Sequence, residues 1–207
     1  DGDAIYRASF ATIRDELGDR LTGFGDLERA VVRMVHAAGD TSIVDQIEAS
    51  RDFVAAATSA LREGCPVWCD SEMVVRGITR TRLPDGVDVR CALTDPEVPE
   101  LARRDATTRS AAAVDRWLGS VDGGIAVIGN APTALFRLLE LILDGVARPA
   151  AVIGIPVGFI GAAESKAALA SLPHGVAFLT LHGRRGGSAI ASAAVNAVAH
   201  EREILPR

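Results

Sequence analysis

Apolar positions follow two different rhythms along this chain. In the first third they recur at helical intervals, and from about residue 66 onward short unbroken apolar runs alternate with helical stretches. The helical spacing predicts a first helix over Asp3–Leu17, with apolar surface from Ile5, Ala8, Phe10 and Ile13, and with Arg7 and Arg14 two turns apart on one face. Asp26 is placed to cap a second helix, Leu27–Ala38, which Gly39 ends. Ser50 or Arg51 opens a third, alanine-rich helix that runs to Arg62 and stops at Gly64 and Pro66. The later half predicts strands at Pro66–Cys69, Val87–Leu93, Gly124–Ile128, Ala151–Ile155 and Val176–Leu181. Helices are expected at Glu72–Arg76 (capped by Asp70 or Ser71), Thr107–Leu118, Pro132–Asp144, Ala163–Leu172 and Ser188–His200. The acidic, proline-bearing stretch Thr94–Pro99 reads as a loop. Such alternation implies parallel strands covered by helices on both faces. The expected fold is a single three-layer α/β/α domain over residues 1–207, with a mainly parallel sheet and the N-terminal helices packed against it.

Three glycine-rich junctions fall where an apolar strand gives way to a helix: Ile125–Phe136, Ala151–Lys166 and Thr180–Ala191. Glycine there allows close backbone approach, and a helix start offers unpaired N–H groups to an anion. Three in succession, holding Gly129, Asn130, Gly158, Gly161 and Arg184, point to one binding edge at the carboxyl ends of parallel strands. A nucleotide is a poor match for it. Gly154, Gly158 and Gly161 do not have G-x-G-x-x-G spacing, no G-x₄-G-K-[ST] occurs, and Glu164 would repel an anion.

Composition narrows the partners. The chain has 207 residues, 48% hydrophobic content, 4% aromatics and a net charge of −5, which suits one sizeable core and disfavours nucleic acid. No apolar run reaches membrane-span length and no secretory signal opens the chain; it begins at Asp1, which points to a trimmed start. Cys65, Cys69 and Cys91 are too few and too isolated for a disulfide framework, and they favour a reducing, cytoplasmic setting. His36, His174, His182 and His200 form no metal-ligand cluster with them, so no metal is expected.

Charged side chains supply the remaining chemistry. Arg7, Arg14, Arg33, Arg80, Arg82, Arg109 and Arg184 come from several elements, and the guanidinium fork pairs bidentately with carboxylates. If Val75–Leu83 is extended, Arg80 and Arg82 share one face and Thr79 and Thr81 the other. A polycarboxylate is the natural ligand. On the second helix His36 shares a stripe with Arg29, Val32 and Arg33, while Leu27, Val31, Met34 and Ala38 occupy the other side. Arg33 favours the neutral ring and the helix C-terminus the cation, which poises His36 as a general acid.

Long ordered motifs then give a resemblance. R-M-V-H-A-x-G at Arg33–Gly39, S-E-M-V-x-x-G-I-T-R at Ser71–Arg80, T-R-S-A-A-A at Thr108–Ala113 and I-G-N-A-P-T-A-L at Ile128–Leu135 resemble the precorrin-8X methylmutases. So do G-I-P-V-G-F-I-G-A-A-E-S-K at Gly154–Lys166 and G-R-x-G-G-S-A at Gly183–Ala189, and the resemblance covers essentially the whole chain. Ala38 departs from it, standing where some relatives carry cysteine. The resemblance implies an isomerase of cobalamin biosynthesis, moving a methyl group from C-11 to C-12 of precorrin-8X to give hydrogenobyrinate by a 1,5-sigmatropic shift. It further implies no organic cofactor or metal, and a homodimer. By resemblance His36 is the acid, with Ser9, Thr79 and Arg109 as substrate contacts; Arg14, Arg80, Arg184 and the glycines of the loops are added as clamps from their chemistry. A non-catalytic corrinoid carrier, or the cobalt-precorrin-8 enzyme, are the alternatives; the retained His36 argues against a carrier.

Overall fold

The computed structural model describes residues 1–205. Six strands form one sheet: β1 (Ile47–Ala49), β2 (Val67–Cys69), β3 (Val89–Cys91), β4 (Ile125–Ile128), β5 (Ala151–Gly154) and β6 (Ala177–Leu181), in the order β1-β6-β5-β4-β2-β3. β1 runs antiparallel to β6, and the other pairings are parallel. Every residue of β2, β4, β5 and β6 is buried, as a sheet covered on both faces requires.

Strand alternation sorts the core into two layers. Ile125 and Val127 of β4 point to one face, where they meet α1 (Gly2–Leu17), α2 (Glu28–Ala38), α3 (Phe53–Arg62), α4 (Glu72–Gly77) and α9 (Ser188–Val198) through Phe10, Met34, Phe53, Val74 and Val195. Ala126 and Ile128 point to the other, against α5 (Val98–Arg104), α6 (Arg109–Asp115), α7 (Pro132–Leu143) and α8 (Ala162–Ser171) through Val98, Val114, Leu138 and Leu169. The connection from β2 leaves toward β3, and the chain returns to β4 on β2's other side. The chain thus leaves β2 and β4 in opposite directions, which makes the carboxyl edge between them the topological switch point of the sheet. No helix among the described residues is long and apolar enough to cross a membrane.

Several expectations are corrected. The buried stripe of α1 is Phe10, Ile13 and Leu17, while Ile5 is 70% exposed and Ala8 is exposed, because α2 covers only the former face. Asp26 sits in a 3₁₀ turn, Gly25–Leu27, and α2 starts at Glu28 with no side-chain cap. Gly39 does end α2, in the left-handed conformation at φ 61. Ser71, not Asp70, caps α4, accepting from Val74 N. β1 was not expected at all: three residues, one of them Glu48, have too little pattern to read, and the free edge of β6 supplies the pairing. α5 begins at Val98, inside the stretch read as a loop; Pro99 lies in its first turn, where a missing N–H does no harm. Nor is Val75–Leu83 extended. It contains the end of α4 and a 3₁₀ turn, Arg80–Arg82, which leaves Arg80 exposed and Arg82 only 5% exposed.

Candidate active site

His36 lies in the last turn of α2, and three side chains from consecutive turns of α1 meet it. Ser9 Oγ is 2.8 Å from Nδ1, and the rings of Tyr6 and Phe10 lie 5.2 Å away, Tyr6 tilted and Phe10 edge-on. Tyr6, Ser9 and Phe10 share a face because they stand three and four residues apart on the helix. Ser9 fixes the ring through Nδ1, which leaves Nε2 as the nitrogen available to a ligand. A cavity of about 420 Å³ opens beside the ring, lined also by Thr12, Glu16, Asp40 and Thr41. Partial burial lowers the His36 pKa and the Arg33 guanidinium lowers it further, so both favour the neutral ring in the free protein. Arg33 itself stacks over Phe10 at 5.3 Å.

Thr79 lies on the other side of Tyr6, lining a smaller cavity of about 210 Å³ with Arg33, Arg82 and Glu203. Arginines here are already engaged. Arg14 holds Glu28 at 2.9 Å and also pairs with Glu203. Arg82 donates to the main-chain oxygens of Asn196 and Arg202, each at 2.6 Å, and to His200 at 3.2 Å, so it anchors the chain that leaves α9. Arg80 donates to the Val89 carbonyl, at 3.4 Å.

The glycine junctions line the carboxyl edge as expected, but their amides are not left bare. Asp70, at the end of β2 and 2% exposed, accepts from the N–H groups of Gly129 (2.9 Å), Asn130 (2.9 Å) and Ala131 (2.7 Å). An internal carboxylate thus fills the anion seat of the first junction. Burial pushes the Asp70 pKa up, and the three amides pull it back toward ionisation. The second and third junctions are stitched to one another: Gly158 N donates to Arg184 O at 3.1 Å, and Gly187 N to Ile155 O at 2.9 Å. A Cβ on Gly186 would stand 2.5 Å from the carbonyl oxygens of Ile155 and Pro156, so no larger residue fits there. Gly161 precedes α8 at φ 80. What the edge presents is side chains: Asn130, half-buried; Arg184, stacked over Phe159 at 5.5 Å; and exposed Arg109, opening α6 beside the Thr108–Thr133 hydroxyl pair (2.8 Å).

The candidate residues therefore fall into two groups. Ser9, His36, Thr79 and Arg14 gather around α1 and α2, whereas Gly129, Asn130, Gly158, Gly161, Arg184 and Arg109 lie along the sheet edge. Arg185 joins the two, pairing with Asp40 on the wall of the His36 cavity. Tyr6, Asp40 and Asp70 were not singled out as site residues from sequence. Only Tyr6 had a readable signal, its spacing from Ser9 on one helical face.

Fold and site together define an α/β enzyme that sets one histidine, held by a hydroxyl and two rings, beside an edge that presents arginines. The chain matches the precorrin-8X methylmutase (CbiC) family over residues 4–201. It is 52% identical over 200 residues to a precorrin-8X methylmutase of Sinorhizobium sp, covering 96% of this chain and 94% of that one. It is 50% identical over 204 residues to that of Pseudomonas aeruginosa, covering 98% and 97%. A cobalt-precorrin-8 methylmutase of Priestia megaterium is 40% identical over 196 residues, with 94% and 85% covered. The solved precorrin-8X methylmutase of Thermus thermophilus superposes with a TM-score of 0.85 at 39% identity, over 95% of this chain and 94% of that one. The chain belongs to the precorrin-8X methylmutase family, and is thus an isomerase, an intramolecular methyl transferase of cobalamin biosynthesis.

Proposed function

We propose that the protein converts precorrin-8X to hydrogenobyrinate by moving a methyl group from C-11 to C-12, with His36 as the acid that protonates the macrocycle. The observation that carries this reading is His36 itself: its Nδ1 is held by Ser9 and its cavity is wide enough to admit the edge of a ring. A methyl shift across a conjugated system gains from electron withdrawal, and a proton delivered from Nε2 supplies it. The carboxylates of the substrate would also favour the imidazolium, which the free protein disfavours. Orientation of the macrocycle supplies the rest of the acceleration. Substrate and product are isomers with the same acidic arms, so product is expected to bind tightly and its release to limit turnover.

Single-turnover absorbance with protein in excess tests the reading. Conversion of precorrin-8X to the hydrogenobyrinate spectrum supports the isomerase acting on the cobalt-free substrate. Binding without conversion would sink that assignment in favour of the cobalt-bearing substrate or a carrier. The higher identity to the two precorrin-8X enzymes than to the cobalt-precorrin-8 enzyme supports the cobalt-free substrate.

Arg109, exposed at the sheet edge, is assigned to a substrate carboxylate. Arg109→Ala is expected to weaken binding about tenfold, with a smaller loss at high salt. Unchanged affinity in a titration would remove Arg109 from the site.

A homodimer has a matching surface feature: Phe159 is 85% and Ile160 90% exposed, side by side in the β5–α8 connection. Sedimentation at the mass of a single chain would exclude it. Three free thiols, Cys69 buried among them, suit a cytoplasmic setting.

A further inference from the structure

Lys166 stands in the second turn of α8 with no exposed surface, a rare place for an ammonium. Nζ donates to the main-chain oxygen of Arg185 at 2.6 Å, and among the described residues no carboxylate pairs with it. Burial lowers its pKa to about 8, which leaves it mainly protonated at pH 7. A methionine of similar length would fill the same space without desolvating a charge. Stability alone is therefore a poor account of a lysine here.

The carbonyl it holds belongs to the loop between β6 and α9, the third glycine junction. That loop is fixed from beneath by main-chain bonds to the β5–α8 connection and by Lys166. Its two arginine side chains leave in different directions. Arg184 lies over Phe159 of the β5–α8 connection, 5.5 Å from the ring centroid. Arg185 Nη1 pairs with Asp40 and donates to Ser42 Oγ at 2.7 Å, and Asp40 lines the His36 cavity. One peptide unit, held by one buried ammonium, thus sets the position of a cation at the sheet edge and of part of the wall beside His36.

We propose that Lys166 is a positioning residue for substrate binding: by holding the Arg185 carbonyl it fixes the loop that presents Arg184 to a substrate carboxylate and ties Arg185 to the His36 cavity. The proposal rests on the assignment of His36 and the sheet edge to the tetrapyrrole site. Lys166 touches no reacting atom, so its loss acts on affinity more than on the chemical step.

Lys166→Met tests this by three readings on the full chain: thermal unfolding, titration with hydrogenobyrinate, and single turnover of precorrin-8X. The melting temperature is expected at or above that of the wild type, with hydrogenobyrinate binding about tenfold weaker and the rate at saturation within about threefold. Lys166→Gln, which keeps an N–H donor, is expected to recover part of the affinity. Wild-type affinity in Lys166→Met overturns the proposal, whatever its melting temperature. Should Lys166→Met fail to fold, Arg185→Gln cuts the tie to Asp40 at a partly exposed site; wild-type affinity there overturns the proposal, and weakened affinity with a preserved rate supports it. His36→Ala, taken through the same readings, is expected to lose far more in single-turnover rate than in affinity. A failed assignment of His36 therefore shows in its rate, and a failed assignment of Lys166 in an affinity.

Discussion

His36→Ala is expected to slow single-turnover conversion of precorrin-8X by about 10²–10⁴-fold, the usual contribution of a positioned general acid, while hydrogenobyrinate still binds. Ser9 holds Nδ1 at 2.8 Å and Tyr6 and Phe10 bracket the ring, so the imidazole is oriented with Nε2 free. Alanine removes the proton donor but leaves both helices packed, because His36 is only part-buried and the core of α2 is built by Val31, Met34 and Val35. The sign of the pH dependence follows from the lowered pKa. The active form is the imidazolium, and burial and Arg33 hold the free protein's ring below the ordinary histidine value. The value of kcat/KM, which reports the free enzyme, is therefore expected to rise as pH falls through the region below about 6.5. In the complex the substrate's carboxylates oppose Arg33, so the same limb in the single-turnover rate at saturation, which precedes product release, is expected at higher pH. A rate for His36→Ala within a few-fold of the wild type, or pH profiles without this limb, would remove the acid role.

Much of the architecture was legible because its elements are long or strongly punctuated. β4, β5 and β6 lie where unbroken apolar runs placed them, and α7 and α9 begin at Pro132 and Ser188 as expected. What could not be read depends on partners distant in sequence. β1 exists because β6 has a free edge, and its residues pair with positions such as Leu181, far along the chain. Arg82 reads like a solvated or substrate-binding arginine, yet it is buried because carbonyls in the last turn of α9 and beyond it claim it. Motif residues gave His36, but not the ring cage, which needs the crossing of α1 on α2. The anion seat of the first glycine junction shows the same limit most sharply. Sequence shows that N–H groups converge there, but not whether their anion comes from solution or from the chain.

Here the chain supplies it, and Asp70→Ala is expected to destabilise the protein by about 3–5 kcal/mol. Three N–H donors, those of Gly129, Asn130 and Ala131, lose their acceptor together. Each buried donor left unpaired costs about 1–3 kcal/mol, and Asn130, half-buried, recovers some of that from water. Against a typical total of about 5–15 kcal/mol, a loss of this size is large enough to shift the denaturant midpoint clearly. Asp70→Asn separates hydrogen bonding from charge. Its one carbonyl oxygen serves best at the Oδ2 position, where Asn130 and Ala131 both donate, and its amide then faces Gly129 N–H; an intermediate loss is expected. The consequence reaches the carboxyl edge, since Asp70 ties the end of β2 to the loop after β4 at the place where the two chain directions part. Equilibrium unfolding in urea checks the prediction: a change of less than about 1 kcal/mol for Asp70→Ala would mean that water satisfies the loop, and that the junction is open to an external anion after all.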